Sequence, residues 1–205
     1  MEQIRLFALY FLIEFLAGSI MFSYLIGLIL HKDIRRYGDG NPGGFNLWHA
    51  AGRVAGIIGS LLDFAKGALP LYFIAKNNIF GSVPLSILAI APLLGHMFSP
   101  LLKGRGGKGV ATTFGIWVAL TNFQIAILFA IALILYPLVF HKGYEESPEY
   151  NALRVVGSFL FIGVFVYILY REFLLAWFLN ALLLIYSHRR ELSDIPIRLK
   201  ERFLG

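Results

Sequence analysis

The chain has 205 residues, 58% of them hydrophobic and only 15% charged, with a mean hydropathy of +0.72 and a formal net charge of +6. A soluble domain carries roughly a quarter charged residues, so composition excludes an ordinary water-soluble enzyme and predicts an all-α, polytopic membrane bundle. The absence of cysteine excludes disulfides, thiolate metal sites and a cysteine nucleophile.

Apolar runs predict about seven spans, at 6–30, 53–75, 81–102, 109–122, 123–140, 152–170 and 172–187. The fourth and fifth are nearly continuous across Thr121-Asn122, so six spans is the alternative. Residues 1–205 read as one transmembrane unit without a separate soluble domain. The first run is too long for a signal-peptide core, and no cleavable signal is expected. No internal repeat is evident, which leaves a transporter built from repeated halves without support.

Glu14 sits inside the first run with no evident partner. A protonated carboxyl and a contact with Asn180 of the last span are the two ways to keep it there. Beyond that run, Asp33 to Trp48 holds four glycines, a proline and two asparagines, and reads as a series of turns instead of a helix. A loop this long in a compact bundle is more often a site than a simple connection. Asp63 and Lys66, three residues apart in the second run, share a helix face and are expected to pair structurally.

The stretch from Gly95 to Thr113 carries Lys103, Arg105 and Lys108 interleaved with Gly104, Gly106, Gly107 and Gly109. Glycines let backbone N–H groups approach an anion, and a helix starting near Gly109 would aim its positive end at the same spot. The loop therefore reads as a phosphate cradle at a bilayer surface. It is not a nucleotide P-loop, because Lys108 is followed by Gly109 instead of Ser or Thr. At the end of the last span come His188, Arg189, Arg190 and Glu191. His188 has three readings: a general base, a phosphate contact or an interface residue.

With seven spans, fourteen cations fall on one side: Lys32, Arg35, Arg36, Arg53, Lys103, Arg105, Lys108, Lys142, Arg154, Arg189, Arg190, Arg198, Lys200 and Arg202. Arg5, Lys76 and Arg171 fall on the other. This asymmetry predicts an outside N-terminus and cytoplasmic basic loops.

Together these segments resemble the bacterial acyl-phosphate:glycerol-3-phosphate acyltransferases of the PlsY type. Gly18 to Gly27 is similar to that family's GSIPFGYLIG, and Asp33 to Gly43 to its DIRxxGSGNPGATN loop. Leu62 to Gly67 resembles LDFxKG, Gly95 to Thr113 resembles GHxFPxxxxFKGGKGVAT, and His188 to Glu191 sits where the family has HRxN. The resemblance implies acyl transfer from acyl phosphate to the sn-1 hydroxyl of glycerol 3-phosphate, giving lysophosphatidate for phospholipid synthesis. The protein would lie in the bacterial inner membrane with its site facing the cytoplasm. Acyl phosphate is an activated mixed anhydride, so neither metal, cofactor nor covalent intermediate is required.

The resemblance carries Asp39, His188 and Lys108 into the catalytic set. Arg105, Gly106, Gly107, Asn41, Asn46, Arg189, Glu191 and His96 are the expected substrate contacts. The departures are Asp39 for the GSGN serine, Phe45 for the GATN threonine, His49 for an arginine and Glu191 for the HRxN asparagine. A further family serine near the sixth span has Ser158 as its nearest candidate. Two carboxylates beside a dianionic phosphate are electrostatically costly, and Asp39 needs a partner such as Arg35 or Arg36, or a proton. Two alternatives therefore stand beside the family reaction. One is acylation of a different small acceptor, with Asp39 or Glu191 as base; the other is a non-catalytic protein binding acyl phosphate or an anionic lipid. Acyl phosphate, the acceptor and membrane lipid are the expected partners, with no nucleic acid.

Overall fold

Large apolar side chains point outward along most of the chain, including Leu9, Leu12, Leu16, Ile57, Leu61, Ile127, Ile131 and Ile134. Glu14, Asp63, Lys66, Thr113 and Asn180 are buried instead. In water such a surface would be an aggregation liability; in lipid it is the expected outer wall. The computed structural model describes residues 1–140 and 147–195. Lys142, Arg198, Lys200 and Arg202, counted above among the cytoplasmic cations, lie outside the described residues.

The described chain is all-helical, without strands. Its α-helices are α1 (Glu2–Ser19), α2 (Phe22–Ile29), α3 (Gly44–Ala51), α4 (Arg53–Lys76), α5 (Ser82–Leu88), α6 (Ala91–Met97), α7 (Val110–Thr121), α8 (Gln124–Phe140), α9 (Pro148–Phe161), α10 (Gly163–Leu169) and α11 (Leu174–Ser187). Among the described residues, four stretches are long and apolar enough to cross a membrane: Glu2–Ile29, Arg53–Lys76, Ser82–Leu102 and Pro148–Leu169. Helices α7 and α8 are apolar but shorter.

Two features differ from the sequence expectation. First, the apolar run at 6–30 is broken between α1 and α2, and the Asp63–Lys66 pair fills the break. Lys66 Nζ lies 2.8 Å from Asp63 Oδ1 and donates to the Ile20 carbonyl at 2.5 Å. The Asp63 carboxylate accepts from the Ser23 hydroxyl at 2.5 Å and from the Phe22 and Ser23 N–H groups at 3.3 and 3.4 Å. The pairing expected of these residues is present, and it also supplies the polar partners that a helix end needs in lipid. Second, the loop read as turns contains α3. Leu47 on this helix is fully buried, and its backbone packs on α4 at Gly56. Tertiary packing outweighs the local turn chemistry there.

The core packing that positions the site is α4 against α7. A Cβ at Gly67 would stand 2.6 Å from the Thr112 carbonyl oxygen, and one at Gly115 would stand 2.8 Å from the Ala68 nitrogen. Only glycine lets these backbones come so close. Asn180 of α11 accepts from Trp117 Nε1 at 3.1 Å and donates to Thr113 Oγ1 at 3.2 Å, locking α11 to α7. Its bonds are thus spent on α7, and the Glu14 carboxyl oxygens have no hydrogen-bond partner among the described residues.

Candidate active site

The glycine-rich loop after α6 folds back on the helix it leaves. Gly106 N donates to the Met97 carbonyl at 2.9 Å and Gly107 N to the His96 carbonyl at 3.1 Å, satisfying open carbonyls of the last turn. These two N–H groups, expected to face an anion, are therefore occupied. The same bonds turn the chain so that Gly109, at φ +78°, starts α7. The first-turn N–H groups of α7 then have no intrahelical acceptor, and Gly109, Val110 and Ala111 line a cavity of about 610 Å³. The start of α7 thus faces the cavity, as expected of a helix beginning near Gly109, while the Gly106 and Gly107 N–H groups do not.

Asp39, Asn41, Lys108 and His188 also line this cavity. Lys108 Nζ is 2.7 Å from Asp39 Oδ2 and 2.8 Å from Glu191 Oε1, all three side chains being less than a quarter exposed. Asn46 Nδ2 donates to Asp39 Oδ1 at 3.0 Å and to the Asn41 carbonyl at 2.9 Å. Asn41 N donates to Asp39 Oδ1 at 3.1 Å, and Asn41 Oδ1 accepts from Lys108 N at 3.0 Å. Burial opposes the charge on Asp39. The Lys108 ammonium and the Asn41 and Asn46 donors outweigh it and hold the carboxyl below its ordinary value. Arg35 is not its partner; that guanidinium is held by Asp33 at 2.9 Å.

His188 is 3% exposed at the end of α11. Its Nδ1 lies 2.9 Å from the Leu184 carbonyl, which can only accept. Nδ1 therefore carries the proton, and Nε2 is left as an acceptor. Burial is the largest influence on the ring and, with nearby Lys108, moves its pKa below 6.5 despite the Leu184 bond. Ser187 Oγ, 3.1 Å from the Lys108 carbonyl, ties the end of α11 to the glycine-rich loop.

Of the other expected residues, some line the cavity and others do not. His96 is buried and lines the cavity, its Nδ1 without a partner among the described residues. Arg105 is exposed and off the cavity wall. Arg189 is exposed, donates to the Tyr186 carbonyl at 2.7 Å and lies 4.0 Å over the Tyr186 ring. Ser158 is buried in α9 away from the cavity. Phe45 is at the cavity wall, edge-on to His49 at 4.6 Å.

Sequence reasoning missed Asn151 and Arg154, both on the cavity wall. Arg154 appeared only as one cation in a charge count, and its Nε has no hydrogen-bond partner among the described residues. The available signal was spacing: two polar residues three apart on one face of an otherwise apolar helix. Apolar side chains, Val110, Phe114, Ala152 and Val155, also line the cavity.

An all-helical fold with membrane-length apolar stretches and a cavity lined by charged, polar and apolar side chains together defines an integral membrane protein with a candidate ligand site. The glycerol-3-phosphate acyltransferase family model matches residues 8–196, and the chain belongs to that family of acyltransferases. It is 37% identical to glycerol-3-phosphate acyltransferase 1 of Thermotoga maritima over 190 residues, 88% of this chain and 93% of that protein. It is 33% identical to the glycerol-3-phosphate acyltransferase of Leptospira borgpetersenii over 196 residues, 92% and 88% of the two chains. Two crystal structures of PlsY, an integral membrane glycerol 3-phosphate acyltransferase, match at 26% identity over 93% of this chain and 92% of theirs. The glycerol 3-phosphate form gives a TM-score of 0.81 and the lysophosphatidic acid form 0.80.

Proposed function

We propose that this protein transfers a fatty acyl group from acyl phosphate to the sn-1 hydroxyl of glycerol 3-phosphate, releasing lysophosphatidate. The observation that carries this reading is the cavity, which joins Lys108, His188 and Arg154 to an apolar wall at Phe114 and Val155. Family membership and relatives named for glycerol 3-phosphate support the acceptor.

In this mechanism the acyl chain lies along the apolar wall and the donor phosphate rests at Lys108 and the start of α7. His188 Nε2 takes the proton from the attacking hydroxyl. The hydroxyl oxygen bonds to the acyl carbon, a tetrahedral oxyanion forms, and the C–O bond to phosphate breaks. Inorganic phosphate leaves, taking the proton held by His188, with its charge met by Lys108. Arg154 and Asn151 hold the acceptor phosphate. Asp39 orients Lys108 from the other side, a role that fits its three donors better than proton transfer does.

The chain would cross a bacterial inner membrane seven times, with α1/α2, α4, α5/α6, α7, α8, α9/α10 and α11 as the spans and the cavity open to the cytoplasm. The basic loops support this orientation. The test is to incubate purified protein with acyl phosphate and labelled glycerol 3-phosphate, with acyl-CoA as the alternative donor. Lysophosphatidate formed from acyl phosphate alone is expected. Product from acyl-CoA alone, or none from either, would overturn the proposal.

A further inference from the structure

Lys108 is over-neutralised. One ammonium faces two carboxylates, Asp39 Oδ2 at 2.7 Å and Glu191 Oε1 at 2.8 Å, so the cluster carries one net negative charge when both are ionised. Around it the other elements add little that is positive. The first loop contributes the neutral Asn41 and Asn46. Helix α4 contributes Ser60 and Asp63, the latter already paired with Lys66. His96 comes from α6 and His188 from the end of α11. Helix α9 contributes Arg154 and Asn151. Arg105 and Arg189 are exposed, off the cavity wall, and Arg189 is committed to Tyr186. A dianion arriving at Lys108 therefore meets two like charges.

The two carboxylates are not held equally. Asp39 accepts from Lys108, Asn41 and Asn46. Glu191 is held by Lys108, and its second oxygen, Oε2, is buried without a hydrogen-bond partner among the described residues. Of the two, Glu191 is the one that can be displaced, and its buried oxygen has no donor to replace the one it would lose.

We propose that an anion binds this enzyme together with a proton: as the anion takes Lys108, Glu191 releases it and its carboxylate takes up one proton from solvent. This rests on the reading that Lys108 receives the substrate phosphate. It gives Glu191 the part of a built-in gate that favours phosphate-bearing substrates at lower pH.

Sulfate is the suitable probe, because it is a dianion with no titration of its own between pH 5.5 and 8. Its binding to the purified full-length protein would be measured by calorimetry across that range, in buffers of different ionisation heat. The native protein is expected to take up protons when it binds sulfate, up to one per sulfate at the acid end of the range, and its Kd should weaken as the pH rises. Glu191→Gln should bind sulfate more tightly, with a flat pH dependence and no uptake. His188→Gln should keep the proton. Sulfate binding without proton uptake, uptake that survives in Glu191→Gln, or uptake lost in His188→Gln would each overturn the proposal. Acyl transfer is assayed separately. A protein that makes lysophosphatidate but takes up no proton refutes this inference alone. One that takes up the proton but makes no lysophosphatidate refutes the function alone.

Discussion

Replacing Lys108 by methionine removes the cation between two carboxylates while keeping most of the side-chain volume. Because Nζ lies 2.7 Å from one oxygen and 2.8 Å from the other, those oxygens are at most about 5.5 Å apart. Two ionised carboxylates at ~5.5 Å repel by about 3 kcal/mol at an effective dielectric near 20. For a chain of this size, ~3 kcal/mol corresponds to roughly 6–12 °C in Tm. The sign with pH is definite. In the native protein Asp39 is held below its ordinary 3.8, so its contribution is present above that value and lost as the pH falls through the lower folded value. In Lys108→Met the interaction becomes repulsive, so the variant's deficit is largest at pH 8 and shrinks as a carboxylate gains a proton toward pH 5. Thermal unfolding in detergent at both pH values is the assay, with Lys108→Met/Glu191→Gln expected to recover most of the loss at pH 8. Acyl transfer should stay at least ~10²-fold down in both variants, since the phosphate-binding cation is gone. An equal Tm deficit at both pH values, untouched by Glu191→Gln, would refute the reasoning.

Three further outcomes are expected. The acid limb of kcat/KM should lie below pH 6.5, because burial of His188 favours its neutral form in the fold and keeps Nε2 available down to the lowered pKa. A limb at or above 6.5, or one that persists in His188→Gln, would contradict this. Asp63→Asn should cost ~3–5 kcal/mol by leaving Lys66 buried and unpaired, measured by denaturation, and Asp63→Asn/Lys66→Met should recover part of it; equal losses would mean that the ion pair is not the cause. Gly106→Ala would place a Cβ 2.7 Å from the Met97 carbonyl oxygen, so it should undock the loop and lower turnover at least ~10²-fold. Gly81→Ala, with open space around it, should leave turnover unchanged.

Much of the architecture was readable because lipid imposes simple demands on sequence. Hydropathy located the helices, and the three-residue spacing of Asp63 and Lys66 announced their pairing. What it could not announce was why they pair: the break at Ile20–Met21 needs donors and acceptors from a distant helix, and no local pattern records that. Helix α3 was missed for the same reason, since Leu47 earns its helix from burial against α4. At the site, Lys108, Asp39, Asn41, Asn46 and Glu191 are joined by ion pairs and hydrogen bonds, and His188 lines the same cavity. The glycine loop was misjudged in detail, because backbone N–H groups have no sequence signature for where they point, and those of Gly106 and Gly107 close onto α6. Arg154 was hidden in the positive-inside charge, where a cation on the cavity wall looks like any other.

The account's central claim is that the acceptor carries a phosphate despite the two carboxylates at Lys108. It is tested most directly by offering purified protein acyl phosphate with equal amounts of glycerol 3-phosphate and glycerol, then identifying products by mass spectrometry. The account predicts lysophosphatidate acylated at sn-1 as the dominant product. Monoacylglycerol as the main product would contradict it.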